Sequence, residues 1–335
     1  SPALAALDAV TFASWLDAQG LVAPALRWYL DYCCRDDYGA GAAQVSAWAG
    51  LHYFASRHGF HAPGDASDER DGVLTWPEGN ARLSRQLAQP LGERVHPGSV
   101  VLRVDEDRHE VRVDLWEART QRIERWSAPQ VVLATPLFVS ARLLVQPPEA
   151  LKQAAATLRH APWLVGNLQL RDALDDRPGA APSWDNVLYE AGPTGAMLGY
   201  VDAMHQSTRP YPGPTVLTSY WALGGDTAAQ LHANRTRLLA EPWQAWAGRI
   251  VDDLARAHPD LPGKLERVDL MRYGHAMSVP VPGLRGSAAL HALAQPQRRV
   301  HFAHADLSSY SVFEEAMFHG ARAAAQVRAA LRSAG

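Results

Sequence analysis

Residues 299–327, RVHFAHADLSSYSVFEEAMFHGARAAAQV, constrain the fold more tightly than any other stretch of the chain. Residues 300–303 read as a short apolar strand that leads to a carboxylate, Asp306. A serine-rich turn follows, then a long helix rich in small residues. Ser311-Val312-Phe313-Glu314 has the spacing of a capping box at the start of that helix. The unpaired N–H groups and partial positive charge of a helix start can hold a phosphate or an electron-rich ring oxygen. A carboxylate just ahead of it can accept hydrogen bonds from sugar-type hydroxyls. Spacing alone leaves two readings open: a capped helix docked on a sheet, or a strand–acid–helix cradle for a polar ring.

The rest of the chain alternates helices and strands. Helices are expected within 11–58, with Leu26, Tyr29, Leu30 and Cys33 at helical spacing. A polar loop rich in Gly, Pro and Asp spans 58–71. A short helix is expected at 79–89, a β-meander over 100–126, a buried strand at 131–134 and helices after Pro136 and over 148–158. Residues 165–170, 186–189, 196–202 and 215–222 predict strands of a second sheet. Residues 227–258 predict two helices broken at Pro242, and 265–273 another strand. This pattern predicts an α/β protein with α+β elements, in two discontinuous domains.

Three further stretches, taken in order with the C-terminal one, resemble the flavin-containing amine oxidase family. Trp76-Pro77-Glu78-Gly79-Asn80-Ala81-Arg82-Leu83 is similar to that family's P-x-G-x-x-x-L helix start. Residues 95–113, then Ala128-Pro129-Gln130-Val131-Val132-Leu133-Ala134-Thr135-Pro136, resemble its hairpin and A-x-x-V-I-x-A-x-P strand. Met271-Arg272-Tyr273-Gly274-His275-Ala276, with Pro280-Val281-Pro282-Gly283, resembles the segment that crosses near the flavin. The resemblance covers most of residues 72–335. It implies an FAD-binding domain from 72–150 and 265–335, incomplete at its N-terminus. A helix-and-sheet substrate domain would come from 1–71 and 151–264. The family's N-terminal G-x-G-x-x-G, whose glycines let the backbone approach the FAD pyrophosphate, is missing from the sequence. Gly39-Ala40-Gly41-Ala42-Ala43-Gln44 lacks the third glycine and reads as a loop between helices. A companion chain supplying the dinucleotide-binding unit is therefore one expectation, and a fragment or processed chain another.

The resemblance also implies roles. Asp306 would meet the ribityl chain, the Phe313 and Glu314 backbone the pyrimidine side, and the Val100 backbone the adenine end. Ala134, Thr135 and Pro136 would pass close to the phosphates. Tyr273 and His275 would lie near the flavin, the tyrosine shaping a slot and a neutral histidine serving as base near pH 7. Tyr220 and Trp221 are candidates to line the pocket, and packing in a core is the competing reading for all four. Asn167 stands where many of these oxidases carry a lysine that assists reoxidation by oxygen. Gly320, Ala321, Ala323 and Ala324 are read as permitting close helix packing. The implied function is an FAD-dependent oxidoreductase that transfers a hydride from a C–H alpha to an amine to flavin N5. A non-catalytic subunit or scaffold that has lost FAD is the alternative from another class. A carotenoid- or porphyrinogen-type flavin oxidoreductase is a third.

The resemblance implies a small-molecule substrate, and composition suggests no other class of partner. With 335 residues, 47% of them hydrophobic, the chain can bury one large or two moderate cores. A net charge of −3 points to no nucleic acid partner. No apolar run has the length of a membrane span. Lys152 and Lys264 are the only lysines, as a GC-rich bacterial genome would give. A cytoplasmic setting is favoured, with export left open. Adjacent Cys33 and Cys34 support no disulfide framework and read as buried thiols. His301 and His304 lack a second ligand pair at a telling spacing, so no metal site is expected.

Overall fold

The structure is a computed structural model and describes residues 2–57, 76–176, 183–189, 197–209 and 211–333. The polar loop expected at 58–71 lies outside them. Helices α1 (Pro2–Asp8), α2 (Phe12–Ala18), α3 (Pro24–Tyr38), α4 (Ala47–Ala55) and α5 (Ala81–Ala88) come first. Strands β1 (Ser99–Glu106), β2 (Val111–Glu117), β3 (Arg122–Ala128) and β4 (Val131–Leu133) follow, then helices α6 (Leu137–Leu143) and α7 (Glu149–Thr157). Next are strands β5 (His160–Leu170), β6 (Asp185–Asn186), β7 (Met197–Asp202) and β8 (Thr215–Ala222). Helices α8 (Ala228–Ala240), α9 (Trp243–Ala255) and α10 (Leu261–Lys264) precede β9 (Leu265–Ser278). Helix α11 (Ala288–Ala294), strand β10 (Val300–Phe302) and helix α12 (Phe313–Ser333) complete the order. The strand expected at 186–189 is shorter than its sequence suggests, with β6 pairing only Asp185 and Asn186 to β7.

The chain forms two compact units. The first comprises Ser1–Ala9, Pro90–Arg159 and Ser278–Gly335; the second comprises Val10–Gln89 and His160–Met277.

The second unit holds a five-stranded sheet in the order β6-β7-β8-β5-β9. Strands β5 and β8 pair antiparallel from Trp163 opposite Ala222 to Leu170 opposite Thr215. Side chains alternate between faces with period two, so each strand is read twice. Leu164, Leu168, Leu170, Leu217 and Trp221 are buried with Leu238 of α8 and Trp246, Ile250 and Leu254 of α9. The rings of Trp221 and Trp246 meet edge to face at 6.2 Å. Each such leucine stabilises the fold by about 1.5–3 kcal/mol. Local chemistry sets the covering helices. Thr227 and Gln230 form a reciprocal capping box at the start of α8, and Pro242 separates α8 from α9. Helix α3 starts with Pro24 and stops at Gly39, whose φ of 68° is left-handed. A Cβ at Gly39 would stand 2.6 Å from the Ala161 Cβ, so the site also requires glycine for space.

The first unit holds an antiparallel meander, β1-β2-β3, and a separate parallel pair, β10-β4. Val300, His301 and Phe302 lie opposite Val131, Val132 and Leu133. Leu133, Val300 and Phe302 are buried with Val104, Val111, Leu137, Leu151, Leu290 and Leu293. Arg322 fastens α12 to this core: its guanidinium donates to the carbonyl oxygens of Phe302 (2.6 Å) and Ala294. The small-residue stripe of α12 does less than its sequence suggests. Ala323 is buried, but Ala321 and Ala324 are exposed, and a Cβ at Gly320 would meet nothing within 4 Å among the described residues.

Leu168 is completely buried. Leu168→Ala is expected to cost about 2–5 kcal/mol. Urea unfolding should show a lower midpoint with an unchanged slope.

Candidate functional site

In the first unit, two parallel strands end side by side and each runs on into a helical segment. Strand β4 continues through Ala134, Thr135 and Pro136 to α6; β10 continues through Ala303 and His304 to a short helical turn, Ala305–Leu307. The crevice at the carboxyl ends of parallel strands is where such folds bind nucleotides. Asp306 sits there with 1% of its surface exposed. The Leu137 N–H donates to its Oδ2 at 2.9 Å, and its own N–H donates to His304 Nδ1 at 3.0 Å. Thr135 and Ser140 join through their hydroxyls at 2.8 Å. Asp306 and the Ala134-Thr135-Pro136 run, far apart in sequence, are thus brought together. The carboxylate is buried and bonded to the first amide of α6, where the helix dipole favours negative charge.

The turn from Ser308 to Val312 is built from hydroxyls. The Ser308 Oγ contacts Glu315 Oε2 and lies 2.7 Å from His319 Nε2. Arg322 Nε donates to His319 Nδ1 at 3.3 Å, so the histidine proton resides on Nε2 and is donated to Ser308. Burial, with the Arg322 charge beside it, holds the His319 pKa below its usual value. The pair therefore locks the turn and cannot act as nucleophile and base. Ser309 carries a φ of 54°. Its Oγ lies 3.1 Å from that of Ser278, and the Ser278 N–H donates to Ser311 Oγ at 2.8 Å. Helix α12 starts at Phe313, so the residue before it is Val312; Ser311, expected as the cap, binds the end of β9 instead. Phe313 and Glu314 are exposed at this helix start. Val100 lies on β1 opposite Trp116, in the meander rather than in the parallel pair.

The second unit offers a different surface. On the sheet face opposite Leu164 and Leu168, β5 presents Trp163, Val165 and Asn167 and β8 presents Thr218, Tyr220 and Ala222. These positions are half-buried, apart from Ala222. Trp163, Tyr220, Leu198 and Ala222 pack with Tyr32 and Cys33 of α3, with Trp28, Tyr53 and Phe54 around them. Tyr32 OH donates to the Leu198 carbonyl at 3.2 Å. Thr218 Oγ1 donates to Asn167 Oδ1 at 2.8 Å. Tyr220 and Trp221 are neighbours in sequence, so they point to opposite faces; Tyr220 joins this surface, and Trp221 belongs to the core. Tyr273 and His275 alternate with Gly274 on β9 and are exposed, the His275 ring centroid 6.2 Å from that of His160.

Asp36 gives this aromatic surface its charge. It follows Tyr32 by one helical turn. Burial, then the charges of Asp37 and Asp185, push its pKa up to about 7, with Arg57 pulling the other way. The Arg57 guanidinium is committed to Asp37 at 2.7 Å and stacks 3.5 Å over Tyr53. Burial, Asp185 and Asp36 likewise raise the pKa of Tyr220. Sequence reasoning did not single out Asp36, Asp185 or Tyr32. The one signal was the run Trp28, Tyr32, Asp36 at four-residue steps, which sets an acid on an aromatic helix face. Cys33 and Cys34 are buried, and burial raises both thiol pKa values.

The first unit's residues fit a flavin. A buried carboxylate at the ends of two parallel strands and a 21-residue helix starting just beyond it match the polar edge of such a group. Among the described residues no helix is long and apolar enough to cross a membrane, and no His/Cys/Asp/Glu cluster could hold a metal.

Residues 19–328 match the sequence family of flavin containing amine oxidoreductases. No curated protein shows a significant match. Among solved structures, cyclohexylamine oxidase from Brevibacterium oxydans IH-35A is similar in fold at 20% identity. Its TM-score is 0.65, over 98% of this chain and 69% of that one. Wild-type putrescine oxidase bound to putrescine is similar at 17% identity and a TM-score of 0.61, over 96% of this chain and 68% of that one.

Asp306→Ala leaves the buried Leu137 N–H without its acceptor and should cost about 1–3 kcal/mol in urea unfolding. Asp306→Asn keeps an acceptor and should cost less. For Asp36 the folded pKa, about 7, is above its ordinary 3.8. The folded state therefore binds the proton more tightly, and that stability is present at low pH and lost as pH rises through about 7. Asp36→Asn should raise the Tm above pH about 7 and change it little below about 4.

Proposed function

The chain belongs to the flavin-containing amine oxidoreductases and is an FAD-dependent oxidoreductase, and we propose that it removes a hydride from the carbon alpha to an amine. The buried carboxylate at the paired strand ends carries this reading. FAD, when bound, supplies the hydride acceptor, its N5. Asp306 would hold the ribityl chain, and the backbone at Phe313 and Glu314 the pyrimidine side. Ala134, Thr135 and Pro136 would lie by the phosphates, and Val100 at the adenine end.

Taken by itself, the second unit carries groups whose chemistry suits an amine. An alkylammonium is attracted to the faces of Tyr and Trp rings and to a carboxylate in their midst. Asp36, Tyr32, Tyr220 and Trp163 supply that combination. Tyr273 and His275 would orient the substrate, and a neutral His275 could hold the proton released by the amine. Asn167 bears on the oxidant. A neutral amide bonded to Thr218 stands in place of a lysine, which supports dehydrogenase chemistry over fast reoxidation by oxygen.

The deciding measurement is the visible spectrum and native mass of the purified protein. Bound FAD should be present, with any companion chain visible in the mass. Anaerobic addition of a primary amine should bleach the oxidised flavin. Protein that stays colourless after reconstitution with FAD would sink the reading. Affinity for a cationic amine should fall as pH drops through about 7, where Asp36 takes up its proton. Asp36→Asn should weaken that affinity roughly tenfold and flatten its pH dependence.

A further inference from the structure

Among the described residues, two outside glycine have positive φ: Gln121 and Ser309, both at 54°. Gln121 lies in the exposed turn between β2 and β3, where no packing constrains it. Ser309 is different, because 1% of its surface is exposed. A side chain in the left-handed region costs on the order of 1 kcal/mol, which glycine would avoid. Something the serine does must offset that cost. Its hydroxyl lies 3.1 Å from the hydroxyl of Ser278, which is also 1% exposed. The Ser278 N–H reaches past Tyr310 to Ser311 Oγ. Ser278 therefore holds the turn at two points. Ser308, bonded to Glu315 and His319, holds it at a third, and Asp306, through Leu137, fixes where it begins. Strained conformations persist where the surroundings over-determine them, and they concentrate at functional sites.

We propose that Ser309 is a positioning residue for FAD binding: its hydroxyl bond to Ser278 sets the path of the turn between Asp306 and Phe313. The proposal rests on the reading that this turn borders the flavin. Buried as it is, Ser309 would act not by touching the cofactor but through the backbone that carries the contacting groups.

Three variants, Ser309→Ala, Ser309→Gly and Ser278→Ala, test this in the full chain as isolated. FAD affinity is measured by equilibrium dialysis, the visible spectrum of the bound flavin is recorded, and Tm is followed in parallel. Ser309→Ala keeps the strain and loses the bond. It should weaken FAD affinity about tenfold and alter the flavin spectrum. Ser309→Gly relieves the strain without restoring the bond. It should regain Tm relative to Ser309→Ala but not FAD affinity. Ser278→Ala should match Ser309→Ala, and the double variant should lose no more than either single one. Lower Tm with wild-type affinity and spectrum would show a purely structural role and overturn the proposal. So would Ser309→Gly binding FAD like wild type. Wild-type protein that takes up no FAD would refute the cofactor site itself, and the proposal with it, a result distinct from those two.

Discussion

The carboxylate of Asp306 and the amide of Leu137 are 169 residues apart in the chain and 2.9 Å apart in space. That bond exists because β4 and β10 run parallel. Parallel neighbours cannot be joined by a tight turn, so the chain between them must travel elsewhere before it returns. In this protein the intervening chain includes the whole sheet of the second unit. The two strands deliver their ends to one place, and everything proposed for the flavin depends on that convergence. The carboxylate also satisfies a helix-start amide that burial would otherwise leave without a partner. One group thus serves both folding and the candidate site.

The second unit uses a single sheet for two purposes. Period-two alternation sends Leu164, Leu168 and Leu217 into a dry core under α8 and α9. The interleaved residues form a half-buried aromatic surface under α3. The first face stabilises the unit, and the stiffness it provides keeps the second in place. Asp36 shows the expense of that arrangement: a carboxylate placed among rings resists ionisation.

Much of this was legible from the sequence where local chemistry decides the outcome. The apolar run before Asp306, the strand at 131–134, the helix break at Pro242 and the loop at Gly39 all rest on near-neighbour patterns. What stayed hidden depends on contacts between distant segments. No local pattern sets Asp36 near Asp185, or makes Ser311 bind Ser278 rather than cap α12. The left-handed φ of Ser309 is invisible for the same reason, because serine carries no signal for that conformation. The small residues of α12 misled because composition does not reveal which face meets a neighbour. The place of Asp306 after a strand is readable locally, but its burial is not, since that needs the partner strand in view.

Adjacent Cys33 and Cys34 are both buried, Cys33 within the aromatic cluster, and burial raises both thiol pKa values. The thiolate is the form that reacts with peroxide or alkylating reagents, and burial withholds both ionisation and access. Burial thereby keeps the two sulfur nucleophiles out of reach. The same shielding makes them internal reporters: chemical modification at these positions would record how often helix α3 lifts from the sheet.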